Sequence, residues 1–185
     1  MSHPQPPKPA KLVISVLLNN KDLLTGVGHD LEQAYGAIDL TSPWMDFNYT
    51  EYYAPEMGQS LCRRMLVFKE LIDQLDLARI KLHTNELELK YAQEGRRCVN
   101  IDPGYLLYER FVLATGKNYS HRIHIGHGIY ADLTLIYQQG AYQSLPWTYP
   151  DYAHATMGEF LMQVRQKYST DIRGLTKTEK LQPKE

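Results

Sequence analysis

Apolar positions alternate between a period of two and a period near 3.6 along this chain, and the switches lay out its elements. Lys11 to Leu18 reads as a buried strand rich in Val, Ile and Leu, ending at Asn19-Asn20, where Asn20 is placed to cap a helix. Leu24, Val27, Leu31 and Ala34 form that helix's stripe, and Gly36 closes it. Ile38 to Phe47 is a strand, followed by a tyrosine-rich connection over 48–58 and a strand around Arg64 to Phe68. From Asp73, the spacing Leu77, Ile80, Thr84, Leu87, Tyr91 predicts a long amphipathic helix, with Asp73 as cap and Gly95 as stop. Cys98 to Ile101 is a strand ending at Asp102-Pro103-Gly104, a turn signal. The order β-α-β-β-α-β predicts an α+β fold with a ferredoxin-like core, an antiparallel four-stranded sheet with two helices on one face. A strand around Arg110 to Ala114, a hairpin over 119–137 and a short strand or turn near 139–142 extend the sheet. Met157, Phe160, Leu161, Val164 and Tyr168 mark a C-terminal helix. Residues 1–10 read as a disordered lead-in, 11–168 as one α+β domain and 169–185 as a disordered charged tail.

The hairpin carries the most specific pattern. Ile123 and Ile125 share one apolar face with Ile129, Ala131, Leu133 and Leu135, and a three-residue loop, Gly126-His127-Gly128, keeps the two strands in phase. In that register Arg122 faces Asp132, His124 faces Tyr130, and Thr134 extends the polar row opposite Ser120. An ordinary cross-strand ion pair explains the row as well, at roughly 0.2–1 kcal/mol.

A chain of 185 residues fits one domain, and a formal net charge of −1 provides no field to recruit nucleic acid or membranes. Cys62 and Cys98 stand apart without metal spacing, which points to reduced thiols and a cytoplasmic setting. The apolar run after the proline-rich start is too short for a membrane span, so no membrane partner is expected. Tyrosine is the compositional outlier at 14 residues, offering packing area with a polar handle.

These residues narrow the chemistry without naming a reaction. His121, His124 and His127 do not converge as metal ligands, because the first two point to opposite faces of a strand and the third sits in the turn. His124 is a candidate general acid or base beside Arg122, Tyr130, Asp132 and Thr134, a set suited to an anion. Lys117 offers a second cation, and Asp102, projecting beside Asn100 at a strand end, is a second catalytic candidate. Tyr149 and Tyr152, in the aromatic segment that follows, complete the candidate cleft. No phosphate loop surrounds Gly116-Lys117, Gly26 and Gly28 lack the third glycine of a dinucleotide fingerprint, and no GxSxG elbow occurs. Arg63-Arg64 and Arg96-Arg97 read as solvated surface that leaves RNA binding open.

Residues 81–88, Val99 to Tyr105, Ser120 to Ile123, Gly128 to Ala131 and Trp147 to Tyr152 together resemble the uncharacterised bacterial family known as domain of unknown function 4416. The resemblance covers nearly everything but the tails and implies no established activity or cofactor. Some chains of that family carry the label GTP-binding protein, and the resemblance implies that Glu is usual where this chain has Asp132. Two functions stay open: a ligand-binding domain for an anionic or nucleotide-like small molecule, with acid–base or phosphate-ester chemistry, and a non-enzymatic module binding protein or RNA through its tyrosines.

Overall fold

The computed structural model describes the backbone of residues 2–181 and the side chains of residues 2–175. Nine strands form one open sheet: β1 (Ala10–Leu18), β2 (Ile38–Thr41), β3 (Met45–Phe47), β4 (Leu61–Ile72), β5 (Val99–Leu106), β6 (Arg110–Thr115), β7 (Arg122–Gly126), β8 (Ile129–Gln138) and β9 (Ala141–Ser144). The main path runs β2-β4-β1-β5-β6-β8-β7, with β3 added to β4 and β9 to β8. Every neighbouring pair is antiparallel, so the chain is α+β with a large antiparallel sheet. The helices are α1 (Leu23–Tyr35), α2 (Ala54–Met57), α3 (Leu77–Lys90), α4 (Pro150–Ala153) and α5 (Ala155–Leu181).

The central strand β1 is buried along its whole length because both of its faces are covered. Leu12, Ile14, Val16 and Leu18 pack with Val27 and Leu31 of α1 and Ile80 and Leu87 of α3. On the other face Val13, Met65 and Val67 meet Met157, Phe160, Leu161 and Val164 of α5. Lys11, in the same strand, is fully buried and donates to the Lys69 carbonyl at 2.9 Å and to Asp171 at 2.6 Å. Asp171 lies within the 169–185 stretch read from the sequence as a disordered charged tail, of which residues 182–185 lie outside the described residues. Asp171 also accepts from Lys167, so α5 continues as a helix held to the sheet by charge. At the other terminus, the Pro9 carbonyl accepts from Tyr168 and the Lys8 carbonyl from Gln74, which ties down the end of the lead-in.

Local differences from the expected elements have simple causes. Asn20 accepts from the Asp22 amide in a turn before α1, whose cap position Asp22 fills without a side-chain bond. Ile38 to Phe47 breaks into β2 and β3 at Ser42-Pro43-Trp44, where Pro43 lacks the amide a continuous ladder requires. Asp73 caps a short 3-10 turn, Gln74–Asp76, that leads into α3. The helix stops at Tyr91, ahead of Gly95. Asp102-Pro103-Gly104 is not a turn: β5 passes straight through it, paired with β1 from Leu106 back to Val99. In the hairpin, the loop is His127-Gly128 with both residues at positive φ, and a bulge between His124 and Gly126 restores the phase that a two-residue loop disturbs.

Sheet register places side chains in rows that matter later. One row on the α5 face runs Val67, Val13, Gly104, Leu113, Asp132, Arg122. The next begins Met65, Ser15, Asp102 and resumes across a gap with Thr115, Tyr130 and His124. The gap arises because β5 and β6 pair only from Gly104–Leu113 to Leu106–Phe111 and then part. Their close approach before parting needs a glycine: a Cβ on Gly104 would lie 2.5 Å from the Val112 carbonyl oxygen and 2.9 Å from Leu113 Cδ2. Gly104→Ala is therefore expected to lose about 1–3 kcal/mol, seen as a lower urea midpoint. Gly158→Ala, where α5 leaves open space, is expected to be neutral or stabilising in the same titration.

Candidate functional site

The parting of β5 and β6 strands the Ile101 backbone groups that point away from β1. Side chains from α3 take the missing partner's place: Glu88 Oε1 accepts from the Ile101 amide at 2.7 Å, and Lys81 Nζ donates to its carbonyl at 2.8 Å. Both side chains are buried, as an unsatisfied backbone group would otherwise be. Lys81 also reaches Asp102 Oδ1 at 3.2 Å, and Asn100 Nδ2 donates to Asp102 Oδ2 at 2.6 Å. Arg97 bridges Glu88 and Asn100 and binds Glu56 through a two-toothed fork at 2.8 and 2.6 Å.

Beside this network opens a cleft of about 560 Å³, lined among others by Tyr52, Tyr53 and the segment Tyr149 to Tyr152. Arg63 projects into it from β4, only 4% exposed, between the rings of Phe47 and Tyr152 at 4.9 and 4.8 Å. Its Nη1 pairs with Asp151, but its Nε has no partner. The Tyr152 hydroxyl lies beside Ser15 Oγ, and neither forms a hydrogen bond of good geometry. Burial, with the Asp102 carboxylate nearby, pushes the Tyr53 hydroxyl well above the usual tyrosine range. Burial does the same to Tyr152, so both remain protonated donors. Buried donors left without a partner are unusual in a folded protein.

At the far wall Arg122 donates to Asp132 at 2.8 Å, to the Lys117 carbonyl at 3.1 Å and to the Tyr149 hydroxyl at 3.4 Å. The Lys117 ammonium stands at the mouth, 2.9 Å from the Tyr52 hydroxyl. His121, behind this wall, stacks on Trp147 at 4.9 Å with its Nε2 3.4 Å from Asp132.

The expected register pairs are present, Arg122 with Asp132 and His124 with Tyr130. Their surroundings differ from expectation. The polar row is buried at Arg122, Asp132 and Thr134, because the segment through Trp147 and Thr148 folds over it and donates to the Leu133 and Thr134 carbonyls. The supposed apolar face leaves Ile123 69% exposed on the edge strand. Asp102, Lys117, Arg122, Asp132, Tyr149 and Tyr152 all line the cleft. His124 does not: it is exposed near the hairpin tip with its ring 5.3 Å from Tyr130, and Tyr130 lies outside the cleft with it. Thr134 is buried against Asp132, to whose carbonyl it donates at 3.1 Å, and it too lies outside.

Arg63 and Arg97 correct the reading of both arginine pairs as solvated surface. A signal existed: Leu61, Met65 and Val67 alternate with Cys62, Leu66 and Phe68, so β4 is apolar on both faces and an arginine within it must be buried. Lys81 and Glu88 follow Ile80 and Leu87 directly, so they border the helix's apolar stripe. Among the described residues, no group of three His, Cys, Asp or Glu side chains is placed to hold a metal, and no helix is long and apolar enough to cross a membrane. Both cysteines are free and buried, and burial pushes the Cys62 thiol up.

A two-faced antiparallel sheet opening into a buried, charge-lined cleft is thus the class of structure this sequence makes. The chain belongs to the family described as Domain of unknown function (DUF4416), matching it over residues 8–168. No curated protein and no solved structure matches it.

Burial holds the Glu88 carboxyl above its ordinary value of 4.5, against the opposing pull of Lys81 and the Ile101 amide. A carboxyl whose pKa is raised on folding binds its proton more tightly in the folded state, so stability falls as pH rises through the interval above the unfolded value. Wild type is expected to lose stability relative to Glu88→Gln from about pH 4.5 upward, until the folded group is fully ionised. Urea midpoints of both proteins between pH 4 and 7 measure this, and a flat or rising difference contradicts it.

Proposed function

We propose that the cleft between β5 and β6 binds an anionic small molecule. The observation that carries this reading is the pair of buried, unpartnered donors on lining residues: Arg63 Nε and the Tyr152 hydroxyl. An oxyanion is a ligand such donors are suited to, because hydrogen bonds to a charged acceptor are about twice as strong as those to a neutral one. Lys117 adds positive potential, and the Tyr52, Tyr53 and Tyr149 rings offer planar surfaces for a ring-bearing, nucleotide-like molecule. Acid–base work in this cleft falls to Asp102 rather than to His124, since Asp102 opens into it and His124 stands outside. The exposed rings of Tyr49, Tyr52, Tyr119 and Tyr149 support a second reading, a protein- or RNA-binding surface at the cleft mouth. We also infer a ferredoxin-like arrangement for the first six main elements, supported by the strand order β2-β4-β1-β5 and by α1 and α3 packing on one face.

A thermal-shift titration tests the ligand reading. Inorganic phosphate or a nucleoside monophosphate is expected to raise the melting temperature, reaching a gain of about 2.7 kcal/mol at a hundredfold excess over Kd. Arg63→Met removes the shift and Lys117→Ala, at an exposed position, weakens it, while His124→Ala leaves it intact. If none of these anions stabilises the wild type and RNA or a protein partner is retained in their place, the second reading stands instead.

A further inference from the structure

Four carboxylates line the cleft, and they are not equivalent. Asp132, Asp151 and Glu88 have side chains 9, 8 and 7% exposed, and each is bound by its own arginine, Arg122, Arg63 and Arg97. Asp102 is 27% exposed, has no arginine, and is held only by Lys81 and by the Asn100 amide. Both Asp102 oxygens keep a free acceptor direction after those bonds. Asp102 nevertheless lies within electrostatic reach of Arg63 and of the Tyr53 hydroxyl, the donors that an anion would use.

This arrangement limits what the cleft accepts. The three arginines are already neutralised by their own partners, and Lys81 balances Asp102, so among the described residues Lys117 is the one lining cation without a lining carboxylate. A polyanion would meet little net attraction and would sit against the Asp102 carboxylate. Separated positive and negative ends in a nearly neutral cleft instead complement a ligand that carries both signs.

We propose that the ligand is zwitterionic, a single phosphate- or carboxylate-type anion with a protonated amine a few bonds away, and that Asp102 is the residue that selects for the amine. The anionic end lies at Arg63 and Tyr152, and the ammonium donates to Asp102 where that carboxylate opens into the cleft. Asn100 and Lys81 act as positioning residues that fix the Asp102 rotamer. This rests on the anion-binding reading above, and it narrows the ligand from any anion to amino-bearing ones.

O-phosphoethanolamine, ethyl phosphate and 2-hydroxyethyl phosphate form a matched series differing only in the group presented to Asp102. By isothermal titration, wild type is expected to bind O-phosphoethanolamine roughly tenfold or more tightly than either of the others, the equivalent of at least ~1.4 kcal/mol. Asp102→Asn, nearly isosteric but uncharged, brings the three affinities to within about threefold, with binding of ethyl phosphate equal or improved. The wild-type preference also fades as pH rises through the amine's own pKa. Equal binding of all three by wild type overturns the inference and leaves anion binding standing. So does parity between the amine and the hydroxyl, because a neutral donor would then suffice. An unchanged preference in Asp102→Asn removes Asp102 from the role. Failure of the wild type to bind any of the three, or inorganic phosphate, overturns the anion reading itself. Should Asp102→Asn fail to fold, the wild-type series decides alone.

Discussion

Two α3 side chains bonded to one strand residue hold this structure's cleft open. Once β6 leaves β5 after Gly104–Leu113, the Ile101 amide and carbonyl face a place where a strand should be. Glu88 and Lys81 fill it at 2.7 and 2.8 Å. Without them, burial of two unpaired backbone groups would cost several kcal/mol in total, and closing the strands would be the cheaper arrangement. The same two side chains then bring Arg97, Asn100 and Asp102 into one connected set. A defect in sheet pairing is thereby converted into a polar floor, and the cavity above it exists because the ladder ends where it does.

Charge burial on this scale demands mutual satisfaction. Arg63, Arg122 and Glu88 are each less than a tenth exposed, and each lies against an opposite charge. Such pairs add little to stability by themselves, because desolvation consumes most of their Coulombic gain. Their value here is geometric. A guanidinium held between the Phe47 and Tyr152 rings, with one nitrogen on Asp151 and Nε buried without a partner, has far less freedom of position than an exposed arginine.

Much of this was legible in the sequence where contacts are local. The helix stripes, the succession of strands and helices along the chain and the pairing of Arg122 with Asp132 follow from periodicity, and the hairpin pairing survived even though its loop is one residue shorter than the phase seemed to require. A bulge compensated, and alternation alone cannot distinguish a long loop from a short loop with a bulge. The errors lie where tertiary structure decides. Asp102-Pro103-Gly104 has turn composition, yet it runs through a central strand. Pro103 precedes the β5–β6 pairing, so that side of the strand asks no amide of it, and Gly104 serves close packing rather than a bend. Whether a polar face meets water or protein was equally beyond periodicity. Trp147 and Thr148, some fourteen residues downstream of the strand they cover, decide it.

The same distinction separates His124 from Arg122. They share a face, as alternation requires, but the row containing Arg122 runs inward to Gly104, whereas the row containing His124 reaches Asp102 only across the gap. Arg122 is therefore roofed by Tyr149, while His124 sits nearer the hairpin tip with solvent around it. A residue's side of a strand follows from its parity, but its depth follows from what covers that part of the strand. For titratable groups depth matters more, since desolvation and pairing are what turn a common side chain into one poised for a ligand. In this chain those conditions are met beside the strand gap, among residues drawn from β4, α3, β5 and α4, and not along the histidine-bearing strand itself.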